Sequence, residues 1–227
     1  MKNLSLTTLL IIITLGFSSC SQDDSIALQE PTAEELLKSF NLNKNTSGNF
    51  SLDYQLGNGV SSDNILDEKT NINTIYLYSS EGVQERSLNQ GLALQDGQLQ
   101  VNFKDTELNR RHTIIVMDDD IKTSRTSNDY LESYGITGNG DGTYEFSFRV
   151  IDGISPQMIY NDDTKFYEIH LNSDSSASQK DFVETFTKED GVALNIQFFE
   201  TISNVERSSE PRPTQPTVTV EEGDGDD

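Results

Sequence analysis

The sequence predicts a mainly β protein, an antiparallel β-sandwich of immunoglobulin-like or jelly-roll-like type with two or three short helices. Three observations carry this expectation. Apolar and polar residues alternate with a period of two, most plainly at Phe50, Leu52, Tyr54 and Leu56, the mark of strands with one buried face. Turn residues recur at short spacing with no regular helical crossovers between the apolar stretches, which disfavours a parallel sheet. Asp96-Gly97 has the residue types of a two-residue type I′ turn, in which both central residues need positive φ.

Taken in order, the elements begin at Pro31 with a helical pattern. Thr32 and Glu35 form a capping box, and Leu36, Leu37 and Phe40 share one side. Asn41 to Asn49 reads as a polar linker before the strand Phe50–Leu56, which Gly57-Asn58-Gly59 ends. The polar run to Thr70 reads as a loop that contributes to a binding surface. Ile75 and Leu77 mark a strand with Tyr76 and Tyr78 on its other face. Around Asp96-Gly97 the pattern predicts a hairpin that pairs Gln95 with Gln98, Leu94 with Leu99 and Leu92 with Val101.

His112 to Met117 is a nearly continuous apolar strand stopped by Asp118, Asp119 and Asp120. Asp129 to Tyr134 reads as a short helical turn, capped from Ser127 or Asn128 and ended by Gly135. Tyr144, Phe146, Phe148 and Val150 alternate as a strand. Met158–Tyr160 and Phe166–Leu171 form a hairpin around the loop Asn161–Thr164. Ser178 to Asp190 predicts a helix with Ser178 and Asp181 as capping box and Phe182, Val183 and Phe186 as buried stripe. Val192, Leu194, Ile196 and Phe198 resume the β pattern. The total is roughly eight to ten strands with no repeat at a fixed period.

Four regions follow: a signal peptide over 1–19, a tether with a short helix over 20–49, a β-sandwich domain over 50–206 and a disordered acidic tail over 207–227. An alternative splits the sandwich into two immunoglobulin-like subdomains near 135–142.

The first residues supply an address. Lys2 precedes an apolar run from Leu4 to Phe17, too short to span a bilayer, which needs roughly twenty apolar residues. Then come Ser18, Ser19 and Cys20, the only cysteine in the chain. This arrangement resembles the lipobox of bacterial lipoproteins, with Phe17 where that family usually has Leu. The resemblance implies that the Cys20 thiol is acylated with diacylglycerol and becomes the first residue of the mature chain. Ser21, Gln22, Asp23 and Asp24 resemble the acidic surface-export signal of lipoproteins of the Bacteroidota. Asp24-Ser25-Ile26 matches that phylum's short O-glycosylation sequon, with Ser25 as acceptor. The implied location is the outer membrane, lipid-anchored and facing outward.

Composition narrows the function. With 16 Lys and Arg against 38 Asp and Glu, the formal charge is −22. A field of that sign repels phosphate backbones, which excludes nucleic acid as a partner. A single cysteine excludes disulfide stapling and thiolate metal sites.

The candidate chemistry is sparse. Asp118, Asp119 and Asp120 form the densest carboxylate cluster, and Ca²⁺ suits such oxygen ligands. An EF-hand alignment fails, because starting at Asp118 puts Thr123 where glycine is required. His112 and His170 are the only histidines; both read as surface or strand-edge residues, too few for a zinc site without thiols. No Gly-x-Ser-x-Gly elbow is present to place a nucleophile. Thirty-eight acids always allow a glycosidase-like pair, so that pattern carries no information. Trp is absent, leaving Tyr76, Tyr78, Tyr130 and Tyr134 as aromatic platforms for sugar or as packing residues. No catalytic residues are assigned. The expected function is a surface binding module for a glycan, protein or cation. The alternatives are an assembly subunit whose strand edges pair with another chain and, third, a hydrolase.

Overall fold

A computed structural model describes residues 36–118, 130–189, 191–201 and 212–224, all within one unit of the chain spanning 31–227. The first strands are β1 (Leu37–Lys44), β2 (Phe50–Leu56), β3 (Val60–Asp67), β4 (Ile72–Ser79), β5 (Arg86–Leu92), β6 (Gln98–Asp105) and β7 (Arg110–Met117). The others are β8 (Leu131–Gly138), β9 (Thr143–Val150), β10 (Ile154–Asn161), β11 (Phe166–Ser173), β12 (Asp181–Thr187), β13 (Leu194–Thr201) and β14 (Arg212–Asp224). They form a six-stranded sheet in the order β12-β9-β8-β1-β2-β5 and an eight-stranded sheet in the order β10-β11-β13-β14-β7-β6-β4-β3.

The alternating apolar residues explain why the sheets face each other. Phe40 and Tyr54 of the smaller sheet meet Phe103 of the larger one at ring separations of 5.7 and 5.4 Å. Phe146 and Phe148 meet Phe198 at 5.9 and 5.4 Å. Leu52, Leu56, Ile75, Val101, Ile114, Phe146, Ile196 and Val220 are wholly shielded from solvent. The fold is therefore mainly β and sandwich-like, as the period of two predicts.

Both sheet orders read the same from either end, which exposes an internal repeat. Residues 37–117 and 131–224 each send two strands to the small sheet, a hairpin to the large one, one strand back and two more across. From β1 to β5 the two copies correspond at an offset of 94 residues, as from Leu42 to Ile136. The correspondence holds in the ladders: Phe50 pairs with Leu92 and Tyr144 with Phe186. It holds at the turns too, where Gly48 and Gly142, Gly59 and Gly153, and Asn71 and Lys165 all have positive φ. The expectation of no repeat is corrected. Few side chains are identical between the copies, because strand burial asks only for apolar character.

The two copies join within both sheets. Leu42 pairs with Ile136 across β1 and β8, and Ile115 pairs with Thr219 across β7 and β14. Each pair links equivalent positions, so both mark where a pseudo-twofold axis crosses the sheets. A split near 135–142 would cut through β8; the halves of the repeat are 37–117 and 131–224, and both contribute strands to each sheet.

Several other expectations change. Among the described residues no helical element occurs: 37–44, 131–138 and 181–187 are strands. Leu37 and Phe40 have helical spacing only because a register irregularity lies between Leu37 and Ser39, after which Phe40 and Leu42 alternate. Phe182 and Phe186 obey a period of two as readily as a helical one, and pairing with β9 decides between them. The sheets are not wholly antiparallel, since β4 runs parallel to β6 and β11 to β13.

The polar run after Gly59 is the edge strand β3, and the acidic tail contributes β14, held between β7 and β13. The domain thus begins before 50 and extends beyond 206. Asp96 and Gly97 have φ of 51° and 79° and Gln95 bridges Gln98, as the type I′ reading requires. The hairpin goes no further: Leu92 pairs with Phe50 in the small sheet, while Leu99 lies in the large one. The signal peptide, the tether to 35 and the residues Cys20, Ser21, Gln22, Asp23, Asp24, Ser25, Asp119 and Asp120 lie outside the described residues.

Candidate functional site

Two kinds of polar assembly arise from this frame, one buried and one exposed. The buried kind begins at Asp118, which follows β7 and is completely buried. Its Oδ2 accepts from the Lys44 ammonium at 2.5 Å and from the Tyr134 hydroxyl at 2.8 Å. Lys44 and Tyr134 are cross-strand partners in β1 and β8, so the ladder at the repeat junction delivers both. The ammonium also lies 5.6 Å from the Phe50 ring centre and 5.9 Å from that of Tyr134, within cation–π range. Burial, and then the adjacent Asp118 charge, raise the Tyr134 pKa well above the ordinary tyrosine value.

The repeat places a second cluster at Glu222. Leu99 pairs with Val116 and Leu194 with Val220, which makes Asp118 and Glu222 equivalent. The Tyr144 hydroxyl donates to Glu222 Oε1 at 2.8 Å, Lys188 Nζ reaches Oε2 at 3.2 Å, and His112 Nδ1 stands 3.5 Å from Oε1. Burial pushes the Glu222 carboxyl up, but the Tyr144 hydroxyl, His112 and Lys188 outweigh it, and the pKa falls below the ordinary glutamate value. Gly138 stands where the first cluster has Lys44. Beside it is a cavity of about 20 Å³ bordered by Phe40, His112, Tyr144 and Glu222, the size of a single water.

The two clusters differ in their access to solvent. Asp118 is sealed from solvent, and the cation beside it is a lysine of the chain itself. Among the described residues no three His, Cys, Asp or Glu converge to hold a metal. His112 is half-buried beside Glu222. His170 is buried, contrary to a surface reading: its ring stacks on Phe199 at 5.0 Å and its Nε2 lies 2.9 Å from Glu168 Oε2. Tyr134 is packing and hydrogen-bonding material rather than a platform. A sequence signal for the clusters does exist, in Thr113-x-x-Val116-x-Asp118 and Thr217-x-x-Val220-x-Glu222. It becomes readable only once the repeat is aligned.

The exposed assembly is the outer face of the small sheet across β5, β2, β1 and β8. Alternation turns Ser39, Asn41, Asn43, Ser51, Asp53, Gln55 and Thr137 outward because Phe40, Leu42, Leu52, Tyr54, Leu56 and Ile136 between them are buried, and Ser87 and Asn89 flank Leu88, which packs against the core. Asn41 donates to Thr137 Oγ1 at 3.0 Å, Asn43 to Asn41 Oδ1 at 3.1 Å, and Ser51 to Asn43 Oδ1 at 3.1 Å. Asn89 donates to Asp53 at 2.5 Å. Of these, Ser39, Asn41, Asp53, Gln55, Ser87, Asn89 and Thr137 border an open groove of about 260 Å³, together with Phe40, Tyr54 and Leu88. Where the same face continues over the second copy it becomes ionic, with Arg149 between Glu132 at 3.0 Å and Asp181 at 3.1 Å.

No family model, curated protein or solved structure matches this chain.

Proposed function

We propose that the chain is a lipid-anchored protein of the outer membrane, held through Cys20 and turned outward, whose β-body binds a neutral, hydroxyl-rich ligand such as a glycan. The groove on the first copy carries this reading. In a chain of formal charge −22, the amides and hydroxyls of Asn41, Gln55, Asn89, Ser39, Ser87 and Thr137 border it beside Phe40, Tyr54 and Leu88, with Asp53 as its one carboxylate, which Asn89 already engages. Carboxamides offer both donors and acceptors, the complement of sugar hydroxyls. The groove is close to the roughly 300 Å³ at the lower end of small-molecule sites. Its openness to solvent suits an extended chain lying across the strands.

A panel of neutral oligosaccharides, tested by thermal shift against the wild type and Asn41→Ala, checks the binding site. A ligand that raises the melting temperature of the wild type and not of the variant supports it. Equal shifts in both place the ligand elsewhere, and no shift with any member removes the glycan reading. The anchor is tested separately: Cys20→Ala should leave the membrane fraction, and retention there would refute acylation. Asp23→Ala with Asp24→Ala should reduce surface labelling while membrane association persists.

A further inference from the structure

The large sheet is two strands wider than the small one, and its end strands are β3 and β10. Among the described residues no strand pairs with the outer side of either edge. Ser80 donates to Gly59 and Asp174 to Gly153, each at 2.8 Å. Counting in twos along these ladders leaves the even-numbered residues of β3 and β10 with their backbone groups turned away from the sheet. Pro156 falls on this outward set, where a missing N–H disrupts no ladder.

These edges expose apolar side chains at equivalent positions. Ile65 and Leu66 on β3 are 56% and 49% exposed, and Ile159 and Tyr160 on β10 are 41% and 44% exposed. Met158, at 37%, adds to the second patch. Long edges with exposed apolar residues are what monomeric sheet proteins guard against with charge and covering loops. Here the same exposure occurs at both ends of one sheet.

Strand direction supplies the partner. Two pairings across the large sheet are parallel and five antiparallel, so β3 and β10 run in opposite directions. A second copy displaced along the sheet, with no half-turn, therefore sets its β10 antiparallel to β3. The chain already joins its own copies by in-sheet antiparallel pairing of β7 with β14. We propose that this sheet continues from molecule to molecule, β3 of one copy pairing with β10 of the next in a head-to-tail array. Such a contact is heterologous, so it leaves a free β3 at one end and a free β10 at the other and does not close on itself. Pairing adds backbone hydrogen bonds and covers both apolar patches. The inference is independent of the groove, which lies on the outer face of the other sheet.

Sedimentation of the full chain in detergent micelles, with Leu66→Lys on β3 and Met158→Lys on β10, tests it. The wild type should show a concentration-dependent series of masses, strengthened by salt because like-charged chains repel less when screened. Each variant alone should be monomeric, and an equimolar mixture should stop at a heterodimer of twice the monomer mass. A wild type that stays monomeric at every concentration overturns the proposal. So does dimerisation of either variant alone, which would mean two-fold pairing through the remaining edge. If a variant loses its β circular dichroism, thiol cross-linking replaces it. In a Cys20→Ala background, Asn64→Cys chains should cross-link to Met158→Cys chains and not to themselves, and self-cross-linking alone would overturn the head-to-tail arrangement.

Discussion

Asp118 and Glu222 hold the same position in the two copies, yet the tyrosine that donates to each comes from a different strand: Tyr134 on β8 for Asp118, Tyr144 on β9 for Glu222. At the corresponding sites the copies carry Phe40 and Phe50. Each cluster thus keeps one phenol and one phenyl ring, with the places exchanged. The requirement is chemical rather than positional, since one hydroxyl must reach a carboxylate that the core has drawn out of water.

The Lys44–Asp118 pair should be costly to break. Asp118 is buried and cannot recruit water when its partner is removed. Lys44→Met should therefore lower unfolding free energy by about 3–5 kcal/mol, measured by urea denaturation. Replacing both partners with apolar residues should recover much of that loss. A single variant as stable as the wild type would show that Asp118 has another partner.

Acid should act through Glu222. Its folded pKa lies below the ordinary 4.5, so the unfolded chain binds protons first as pH falls. The stabilisation is present above the unfolded value and is lost as pH drops through the folded one. Glu222→Gln should be less stable than the wild type at neutral pH and should show a shallower fall of melting temperature with acid. Parallel acid limbs for the two proteins would refute this.

Alkali should act through Tyr134. Its folded pKa is raised well above 10.0, so the unfolded phenol ionises first. The stabilisation is complete below the unfolded value and fades as pH rises past about 10. Denaturant titrations on Tyr134→Phe should show less alkaline loss than on the wild type. Ultraviolet titration should find one phenol that ionises only on unfolding.

Gly138 should tolerate no side chain. A Cβ there would stand 2.3 Å from Phe40 Cε1 and 2.8 Å from its Cζ, and that ring is held by Phe103 and Tyr144. Gly138→Ala should cost about 1–3 kcal/mol in chemical denaturation. Phe40→Leu in the same chain should make the alanine less costly, so the double-mutant cycle should show coupling.

Truncating a central ring should be equally visible. Phe146 has no exposed surface and touches Tyr134, Phe148 and Phe198. Phe146→Ala should destabilise by about 3–5 kcal/mol. A loss under 1 kcal/mol would mean that the two sheets close over the gap.

The sequence by itself determined the period of the strands with one plainly buried face, because alternation follows from the pleat alone. Phe50–Leu56, Tyr144–Val150 and the hairpin around Asn161–Thr164 are local features, and their residues specify them. So does Asp96-Gly97, whose positive φ angles are a property of two neighbouring residues. The tertiary structure alone decided which sheet each strand joins. Leu92 and Leu99 suit a shared hairpin face equally well, but Phe50 claims the first for the small sheet and Val116 the second for the large one. Strands such as β12 and β14 carry weak or ambiguous patterns, and they become strands because β9, β7 and β13 offer unpaired backbone beside them. The repeat, the two carboxylate clusters and the matched edges depend on residues about ninety or more positions apart, such as Lys44 and Tyr134. No local propensity reaches that far; only the packing of two similar halves around one axis brings such residues together.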